Sequence, residues 1–376
     1  DPLVRGGFES LPAKLRQVLR IGAYQIIHLD KIPKEIAVYE SVELARSATK
    51  NPGLVKLVNA VLRKVDKNSE SSAIQQDEFE SNHREETSYQ SQERHEVVAR
   101  EQSHPAWLVK RWIERFGENE TIELCKANNT RWPLCIRVNT ALVERDVMLR
   151  HLAKDGVIGR PTRYSQNCAT IEALPAKKRI DQLPSFQLGE WLVQDESSSL
   201  VVDLLDPQPG ERVLDLCCAP GGKTTDIAAR VGIHGEVIAL DRSATRLELV
   251  KENADRLGLK NIELVEGDGT TFKSPTLFDR VLADVPCSGI GVIGRKKEIR
   301  WNKDVEIFAE LRQAQLDLLN NAARLVKIDG EIVYSTCSIE PEEDEGIVET
   351  FLKEHGKNFI RVSPGSLLKK DLTTKQ

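Results

Sequence analysis

The second half of the chain alternates strand-like and helix-like segments with a regularity that few folds allow. After Gln194, short runs rich in valine, isoleucine and leucine are separated by amphipathic segments. The strand-like runs are RVLDLCC, EVIALD, NIELVEGD, DRVLADV and EIVYSTCS. Strands that alternate with helices indicate a parallel sheet covered by helices on both faces. We therefore predict an α/β domain with a predominantly parallel sheet over residues 191–376.

The first half of the chain is less regular and divides into three segments. Residues 1–65 contain three amphipathic helical patterns and predict a small all-α bundle. Residues 66–103 are rich in Ser, Glu and Gln without an amphipathic period, which predicts a disordered acidic linker. Residues 104–190 combine helical patterns with the strand-like run PLCIRVNT, and we predict a small α/β module there.

The net charge of -5 hides an uneven distribution along the chain. Lys and Arg outnumber Asp and Glu by 11 to 6 in residues 1–65 and by 14 to 9 in residues 104–186. The balance reverses to 4 against 10 in residues 66–103 and to 24 against 33 in residues 187–376. Two basic modules ahead of an acidic one are compatible with RNA held by the front of the protein, although an ordinary solvated surface fits the same charge.

Several classes of protein are disfavoured by composition. No run approaches the roughly 18 apolar residues of a membrane helix, and no signal peptide is visible near the start. The seven cysteines include no CxxC pair, so neither a disulfide framework nor a metal site is indicated. We expect a monomer in the cytoplasm, or in the stroma of a plastid or another organelle if a targeting segment has been removed from the start.

The turn after the first strand of the alternating region reads CCAPGGKTT, residues 217–225, and is typical of a ligand loop. Its glycines allow close approach of the backbone, and the next helix offers unpaired N–H groups. The glycine spacing fits neither GxGxxG nor a P-loop. Asp241 ends the next strand, where it suits a ribose, and Asp268 follows the third, near an adenine edge. S-adenosylmethionine is therefore favoured over NAD or ATP.

The predicted cofactor-binding residues lie in that loop and at the strand ends. They are Cys217, Cys218, Ala219, Pro220, Gly221, Gly222, Lys223, Asp241, Arg246, Asp268 and Asp284. For Lys223 a role as loop anchor, a contact with cofactor or RNA phosphate, and a solvent-facing position all remain open.

Three motifs resemble one known family. CCAPGGKT, DVPCSG (284–289) and YSTCSIEPEEDEG (334–346), in this order, resemble the RNA (cytosine-5)-methyltransferase family that includes bacterial RsmB, yeast Nop2 and the NSUN proteins. The helical front, with RIGAYQIIHLDKIPKEIAVYESVELA and LVNAVLRKV, resembles the NusB-like domain of the RsmB branch. The resemblance implies a Rossmann-like class I methyltransferase domain at 191–376 behind an RNA-recognition module. The opening helices of the NusB-like domain and the final strand pair of the sheet are missing, which predicts a chain shortened at both ends.

Methylation of cytosine at C5 requires a cysteine, because C5 is a weak nucleophile until a thiolate adds at C6. Cys287 and Cys337 each follow a strand, and their spacing alone leaves open which one attacks. In the family that the chain resembles, the TCS cysteine attacks and the PCS cysteine assists release, which implies Cys337 and Cys287. We expect Asp284 to donate a proton or a hydrogen bond at N3. The acidic run EPEEDEG (340–346) is interpreted as the first turn of a helix, without a catalytic role.

RNA is the expected partner, and small-subunit ribosomal RNA is the substrate that the resemblance implies. The target base must be unpaired or flipped to be reached. The segment GRKKEIRW (294–301) places basic residues beside an aromatic ring, which suits phosphates and stacked bases. Another segment, CIRVNT, matches a part of the family associated with RNA positioning. The predicted RNA-binding residues are Arg137, Asn139, Arg295, Lys296, Arg300 and Trp301.

Two other functions compete with this interpretation. One is an RNA-binding assembly factor whose methyltransferase domain is idle, which the presence of Cys337, Cys287, Asp284 and Asp241 disfavours. The other is a nicotinamide oxidoreductase, which the absence of GxGxxG disfavours. Binding of S-adenosylhomocysteine without NAD, together with loss of RNA methylation on Cys337→Ala, distinguishes the three functions.

Overall fold

The computed structural model describes residues 7–65, 91–175 and 178–362, which form two units that divide near residue 90. The first unit is a bundle of three helices. They are α1 (Ala13–His28), α2 (Lys34–Ala48) and α3 (Pro52–Lys64). A Cβ at Gly22 would meet Ser41 Oγ at 2.5 Å and Leu62 Cδ1 at 2.6 Å, so glycine lets these helices approach closely. The predicted all-α bundle is confirmed over these residues.

The second unit opens with a helical layer. Its helices are α4 (Ser91–Glu101), α5 (Ala106–Phe116) and α6 (Glu118–Asn129). The first of them corrects the prediction of a linker over residues 66–103, because its residues 91–101 are helical and bury Val98 and Ala99. Those two small apolar residues stand among charged neighbours, so the sequence pattern did not indicate a buried face. The rest of the predicted linker, residues 66–90, lies outside the described residues.

The small α/β module contains a four-stranded antiparallel sheet with the order β2-β3-β1-β4. In chain order its elements are β1 (Leu134–Val138), α7 (Arg145–Lys154), β2 (Ile158–Pro161), β3 (Cys168–Ala173), α8 (Pro184–Gln187) and β4 (Trp191–Val193). Ile136, Met148 and Trp191 are fully buried at its centre. Only β1 was predicted as a strand, since the other three are short and carry no regular alternation.

The remaining elements form a five-stranded parallel sheet with the order β7-β6-β5-β8-β9. In chain order they are α9 (Glu196–Leu205), β5 (Arg212–Asp215), α10 (Gly222–Val231), β6 (Glu236–Asp241), α11 (Ala244–Leu257), β7 (Ile262–Glu266), β8 (Phe278–Asp284), α12 (Ile307–Leu325), β9 (Val326–Ser335) and α13 (Glu345–His355). The predicted parallel sheet is confirmed.

Helices cover both faces of this sheet. Leu318 and Leu325 of α12 pack with Leu214 on one face, whereas Ile227 of α10 packs with Val213 on the other. Neighbouring residues of one strand therefore serve two cores, as expected for a strand buried on both sides. No helix within the described residues is long and apolar enough to cross a bilayer.

Candidate active site

The carboxyl ends of the parallel strands create a crevice. Strand β5 lies between β6 and β8, so the loops after β5 and β8 leave in different directions at the point where the strand order reverses. Ligands of open α/β sheets bind at such a point. The register places Asp284 of β8 beside Ser335 of β9, and the two cysteine motifs continue from these positions.

The glycine-containing loop after β5 is held by buried acidic side chains. The backbone N–H of Ala219 donates to Asp241 Oδ2 at 3.2 Å, and Thr224 Oγ1 donates to Asp215 Oδ2 at 2.7 Å. Gly221 has φ +95°, and a Cβ there would lie 3.0 Å from Val250 Cγ1. Both its backbone angle and this close approach require glycine. The loop is therefore fixed in shape before any ligand binds.

Arg246 and Asp268 flank this loop. The Arg246 guanidinium lies 3.4 Å from Asp241 Oδ2 and donates to the carbonyl of Ala219. Asp268 accepts hydrogen bonds from the N–H and hydroxyl of Thr270 at 2.9 and 2.8 Å, which lower its pKa. Carboxylates therefore stand at the ends of β6 and β7, where they can accept hydrogen bonds from sugar hydroxyls and ring amines.

The two cysteines of the loop are not reactive thiols. Burial raises the pKa of both Cys217 and Cys218 far above the ordinary range, and nearby carboxylates, Asp215 first among them, raise it further. A thiol that stays protonated is a poor nucleophile. Their contribution to a ligand site is therefore through the backbone.

A lysine and an acidic residue connect the loop to the first cysteine motif. Lys223 Nζ lies 2.6 Å from Asp284 Oδ2, and Ser335 Oγ donates to Asp284 Oδ1 at 2.6 Å. Asp284 therefore accepts one hydrogen bond from each of these two side chains. Lys223 is thus an anchor of the site, and Ser335 is a residue that the sequence reasoning missed, although it opens the STCS motif.

Cys287 and Cys337 are in direct contact. Their Sγ atoms are 3.0 Å apart, and the backbone N–H of Cys337 donates to Cys287 Sγ at 3.2 Å. Gly291 N–H donates to the carbonyl of Cys337 at 2.9 Å, which holds the two loops side by side. Cys337 is exposed and Cys287 is half-buried. The sequence prediction brought both thiols to one edge, and the structure adds their contact.

The contact makes the two thiols unequal. The hydrogen bond from Cys287 lowers the pKa of Cys337, and the charge of Lys223 acts in the same direction against burial and Asp284. The same hydrogen bond, followed by burial, raises the pKa of Cys287. The amide of Cys337 opposes this by favouring a Cys287 thiolate. Cys337 is the more exposed of the two residues, and its thiol is the one whose pKa is lowered.

Two predicted RNA contacts are corrected by the structure. Arg137 and Asn139 are 1% and 2% exposed. Arg137 donates to Gln194 Oε1 at 2.7 Å and to Thr225 Oγ1 at 2.9 Å, and it lies 3.5 Å from Asp226. Asn139 donates to the carbonyls of Gly189 and Leu257. These side chains join the small module to the parallel-sheet domain and cannot reach a phosphate from there.

The basic segment 294–301 divides between buried and exposed side chains. Arg300 is 4% exposed and donates to the carbonyl of Ser103 and to Asn129 Oδ1, which corrects its prediction as an RNA contact. Arg295 donates to Pro133 O at 2.6 Å and pairs with Asp195. Lys296 is exposed, and Trp301 is 61% exposed. Arg295, Lys296 and Trp301 are therefore the exposed residues among the predicted RNA contacts of this segment.

The acidic run after Cys337 is also different from its prediction. Helix α13 begins only at Glu345, and Glu340 and Glu343 before it are fully buried. Glu340 accepts a hydrogen bond from Trp112 Nε1 at 2.9 Å and pairs with Arg111. A run of carboxylates with no basic neighbour in sequence looks solvated, because the partners that bury it come from distant segments.

The parallel sheet, its glycine loop and the carboxylates beyond β6 and β7 define a class I methyltransferase that uses S-adenosylmethionine. The side chains and backbone groups suit that cofactor, because acceptors for ribose and adenine stand at two strand ends and free N–H groups stand at the start of α10.

Three family profiles match the chain. The profile of the 16S rRNA methyltransferase RsmB/F family matches residues 202–369. The profile of the ferredoxin-like domain of that family matches residues 104–175, and the NusB family profile matches residues 3–67.

Individual relatives agree with the profiles. The chain is 35% identical over 356 residues to the "Probable ribosomal RNA small subunit methyltransferase B" of Bacillus subtilis. That alignment covers 93% of this chain and 75% of the Bacillus protein. It is 37% identical over 345 residues to ribosomal RNA small subunit methyltransferase B of Pectobacterium atrosepticum, covering 91% and 74%. The crystal structure of PH0851 is 28% identical with a TM-score of 0.75, covering 94% of this chain and 76% of that one. The chain belongs to the RsmB/F methyltransferase family.

Proposed function

We propose that the chain methylates C5 of a cytosine in small-subunit ribosomal RNA, through a covalent bond between Cys337 and C6 of the base. One observation carries the proposal: an exposed thiol, whose pKa is lowered, contacts a second thiol at the ligand edge of the sheet. Methylation of most other positions needs no nucleophilic cysteine, so a pair of them is informative. The names of the bacterial relatives support small-subunit ribosomal RNA as the substrate.

The side chains divide the reaction between them. The Cys337 thiolate forms a bond to C6, and the electron pair of the C5–C6 double bond becomes available at C5. The bound cofactor supplies an electrophilic methyl group to C5. Asp284 orients Lys223 through their 2.6 Å contact, and the lysine ammonium donates a hydrogen bond to N3, which withdraws electrons as the thiolate adds. The proposal thus gives the N3 contact to Lys223 and Asp284 together.

Release of the product requires a proton exchange at Cys287. The Cys287 thiol gives its proton to Cys337 Sγ as the bond between sulfur and C6 breaks, and the resulting Cys287 thiolate takes up the proton from C5. Both cysteines then end as thiols, and loss of one proton to water restores the Cys337 thiolate. The 3.0 Å separation of the two sulfur atoms suits this direct transfer.

The test is methyl transfer from labelled S-adenosylmethionine to small-subunit ribosomal RNA that lacks the modification, followed by bisulfite sequencing. We expect one protected cytosine, and loss of turnover by at least about 1,000-fold on Cys337→Ala. Cys125→Ala is the matched control, because Cys125 is a fully buried thiol on α6 and belongs to neither cysteine motif. Label at another atom, or full activity of Cys337→Ala, would contradict the proposal. Binding of RNA and cofactor with no transfer would instead favour the idle assembly factor.

A further inference from the structure

Cys287 is held on both sides by two buried polar side chains, Gln315 and Glu343, which are 1% and 0% exposed. Gln315 Nε2 donates to the carbonyl of Pro286 at 3.0 Å and to Glu343 Oε1 at 3.1 Å. Glu343 Oε1 also accepts from the N–H of Ser288 at 2.8 Å, and its Oε2 accepts from the Ser288 hydroxyl. The residue before Cys287 and the residue after it are therefore both fixed.

Glu343 lies on the segment that carries the other cysteine. It follows Cys337 by six positions in the chain. Its carbonyl accepts a hydrogen bond from the hydroxyl of Tyr334 at 2.7 Å, which holds the segment to the end of β9. The hydroxyls of Ser288 and Ser338 lie 3.4 Å apart between the two loops. One carboxylate thus connects the Pro-Cys loop to the segment of the attacking thiol.

The chemistry of the contacts favours a geometric role over a stabilising one. Removing a carboxylate from water is costly unless its oxygens are satisfied, and an apolar side chain of similar size would avoid that cost. Among the contacts described for Glu343, the donors are a backbone N–H, a hydroxyl and an amide, and none is a cation. Capping of α13 does not explain the charge either, because the side chain is directed to Ser288. The carboxylate instead fixes the orientation of its partners, because charge-assisted hydrogen bonds are short and geometrically specific.

We propose that Glu343 is a positioning residue that keeps Cys287 in contact with Cys337, so that the thiol of Cys287 can release the methylated base. The inference rests on the proposed function for its catalytic consequence, but the geometry that it describes does not depend on it. Without Glu343, Cys337 still adds to C6 and methyl transfer still occurs. The slow step becomes breakage of the bond between Cys337 and the base.

The first test is Glu343→Gln, which preserves size and removes one acceptor. A glutamine presents one oxygen and one NH2 group, so it cannot accept from both the N–H and the hydroxyl of Ser288 while facing Gln315. We expect kcat to fall about 10-fold or more while KM for RNA and for the cofactor changes by less than about twofold. We also expect a covalent protein–RNA complex that survives denaturation with detergent. A purely structural role would lower the amount of folded enzyme without accumulating that complex.

The matched control is Glu342→Gln. Glu342 belongs to the same acidic run but is 40% exposed and pairs with Arg111, away from Ser288. We expect wild-type turnover and no accumulated complex from this variant. If Glu343→Gln does not fold, Ser288→Ala replaces it, because that change removes one donor to Glu343 and leaves the buried carboxylate its other two. Wild-type turnover without adduct in the folded variant overturns the inference.

A second readout needs no methyl transfer. The oxidant diamide takes two electrons and two protons from adjacent thiols and joins them in a disulfide, and mass spectrometry measures how fast Cys287 and Cys337 are linked. We expect rapid linkage in the wild type and in Glu342→Gln, and linkage at least about fivefold slower in Glu343→Gln because the sulfur atoms separate. If the wild type methylates no cytosine, the proposed function fails, yet this rate still decides the positioning role. Equal rates in all three proteins would refute it.

Discussion

Cys287 Sγ and Cys337 Sγ lie 3.0 Å apart although 50 residues separate them in the chain. The pairing of β8 with β9 explains this proximity, because the two strands run parallel and end at Asp284 and Ser335, which are register partners. Each cysteine follows its strand by two or three residues. The proximity of the two sulfur atoms thus follows from the pairing of the two parallel strands, and the short loops after the strands bring the sulfur atoms into contact.

Replacement of Cys287 by serine should trap the RNA on the protein. Cys337 can still attack, but serine does not give up its proton as readily as a thiol, so release slows. We expect a detergent-stable protein–RNA band for Cys287→Ser that is absent for Cys287→Ser combined with Cys337→Ser. Gel electrophoresis with labelled RNA measures it, and Cys125→Ala is the control. A band that appears with Cys337→Ser alone would reverse the assignment of the two cysteines.

The pKa of Cys337 should depend on its neighbour. Because the hydrogen bond from Cys287 is the largest cause that lowers this pKa, Cys287→Ala should raise it. The pH at which iodoacetamide alkylates Cys337 at half its maximal rate should then move upwards. Mass spectrometry of the Cys337 peptide across pH 5–10 measures the shift, and an unchanged midpoint would show that the contact does not tune the thiol.

Stability should decrease between mildly acidic and neutral pH because of Asp215. Burial raises the pKa of this carboxyl from 3.8 to about 7. The folded state therefore binds the proton more tightly, and the corresponding stabilisation is complete below pH 3.8 and is lost as pH rises to about 7. Asp215→Asn should reduce the difference in unfolding temperature between pH 5 and pH 8. Asp344, whose pKa burial raises to about 6, adds a trend that both proteins share. An equal difference in both proteins would contradict the prediction.

Arg137 should matter for stability and not for RNA affinity. Arg137→Met removes its hydrogen bonds to Gln194 and Thr225 and leaves those groups buried, which we expect to cost about 3 kcal/mol of unfolding free energy. Lys296→Met is the opposite case, because the Lys296 side chain is exposed. Its unfolding free energy should stay within about 0.5 kcal/mol of the wild-type value. Its binding to RNA should weaken and become less sensitive to salt. Urea unfolding and RNA titration at two salt concentrations separate the two effects. Equal stability of Arg137→Met and wild type would return Arg137 to the candidate RNA contacts.

Local patterns were sufficient to predict the architecture of the second half. Alternation between strand and helix periods is readable within a dozen residues, and it predicted the parallel sheet and the helices on its faces. Because parallel strands share one carboxyl edge, the same reasoning brought Asp284, Cys287 and Cys337 together. The distances between these side chains, and the difference in pKa between the two thiols, depend on side-chain packing and could not be predicted from local patterns.

The errors concern side chains whose partners are far away in the chain. Arg137 was assigned to RNA because its segment matches a part of the family associated with RNA positioning, but Gln194 and Thr225 come from 57 and 88 residues further on and enclose it. Glu343 was interpreted as part of the first turn of a helix, but it lies before α13 and is buried, and its partner Ser288 lies 55 residues before it. Whether a charge is buried is a property of the contacts between segments, which no short window contains.

The buried joint at Arg137 has a consequence for how substrates are chosen. A hinge between the small module and the parallel-sheet domain would have to pull a guanidinium away from Asp226, Gln194 and Thr225 and into a void, so the two parts turn as one piece. Because this joint does not hinge, any deformation needed to bring a base to the site falls on the RNA. We therefore expect RNA segments that unstack easily to enter the site at a lower free-energy cost than stiffly stacked ones.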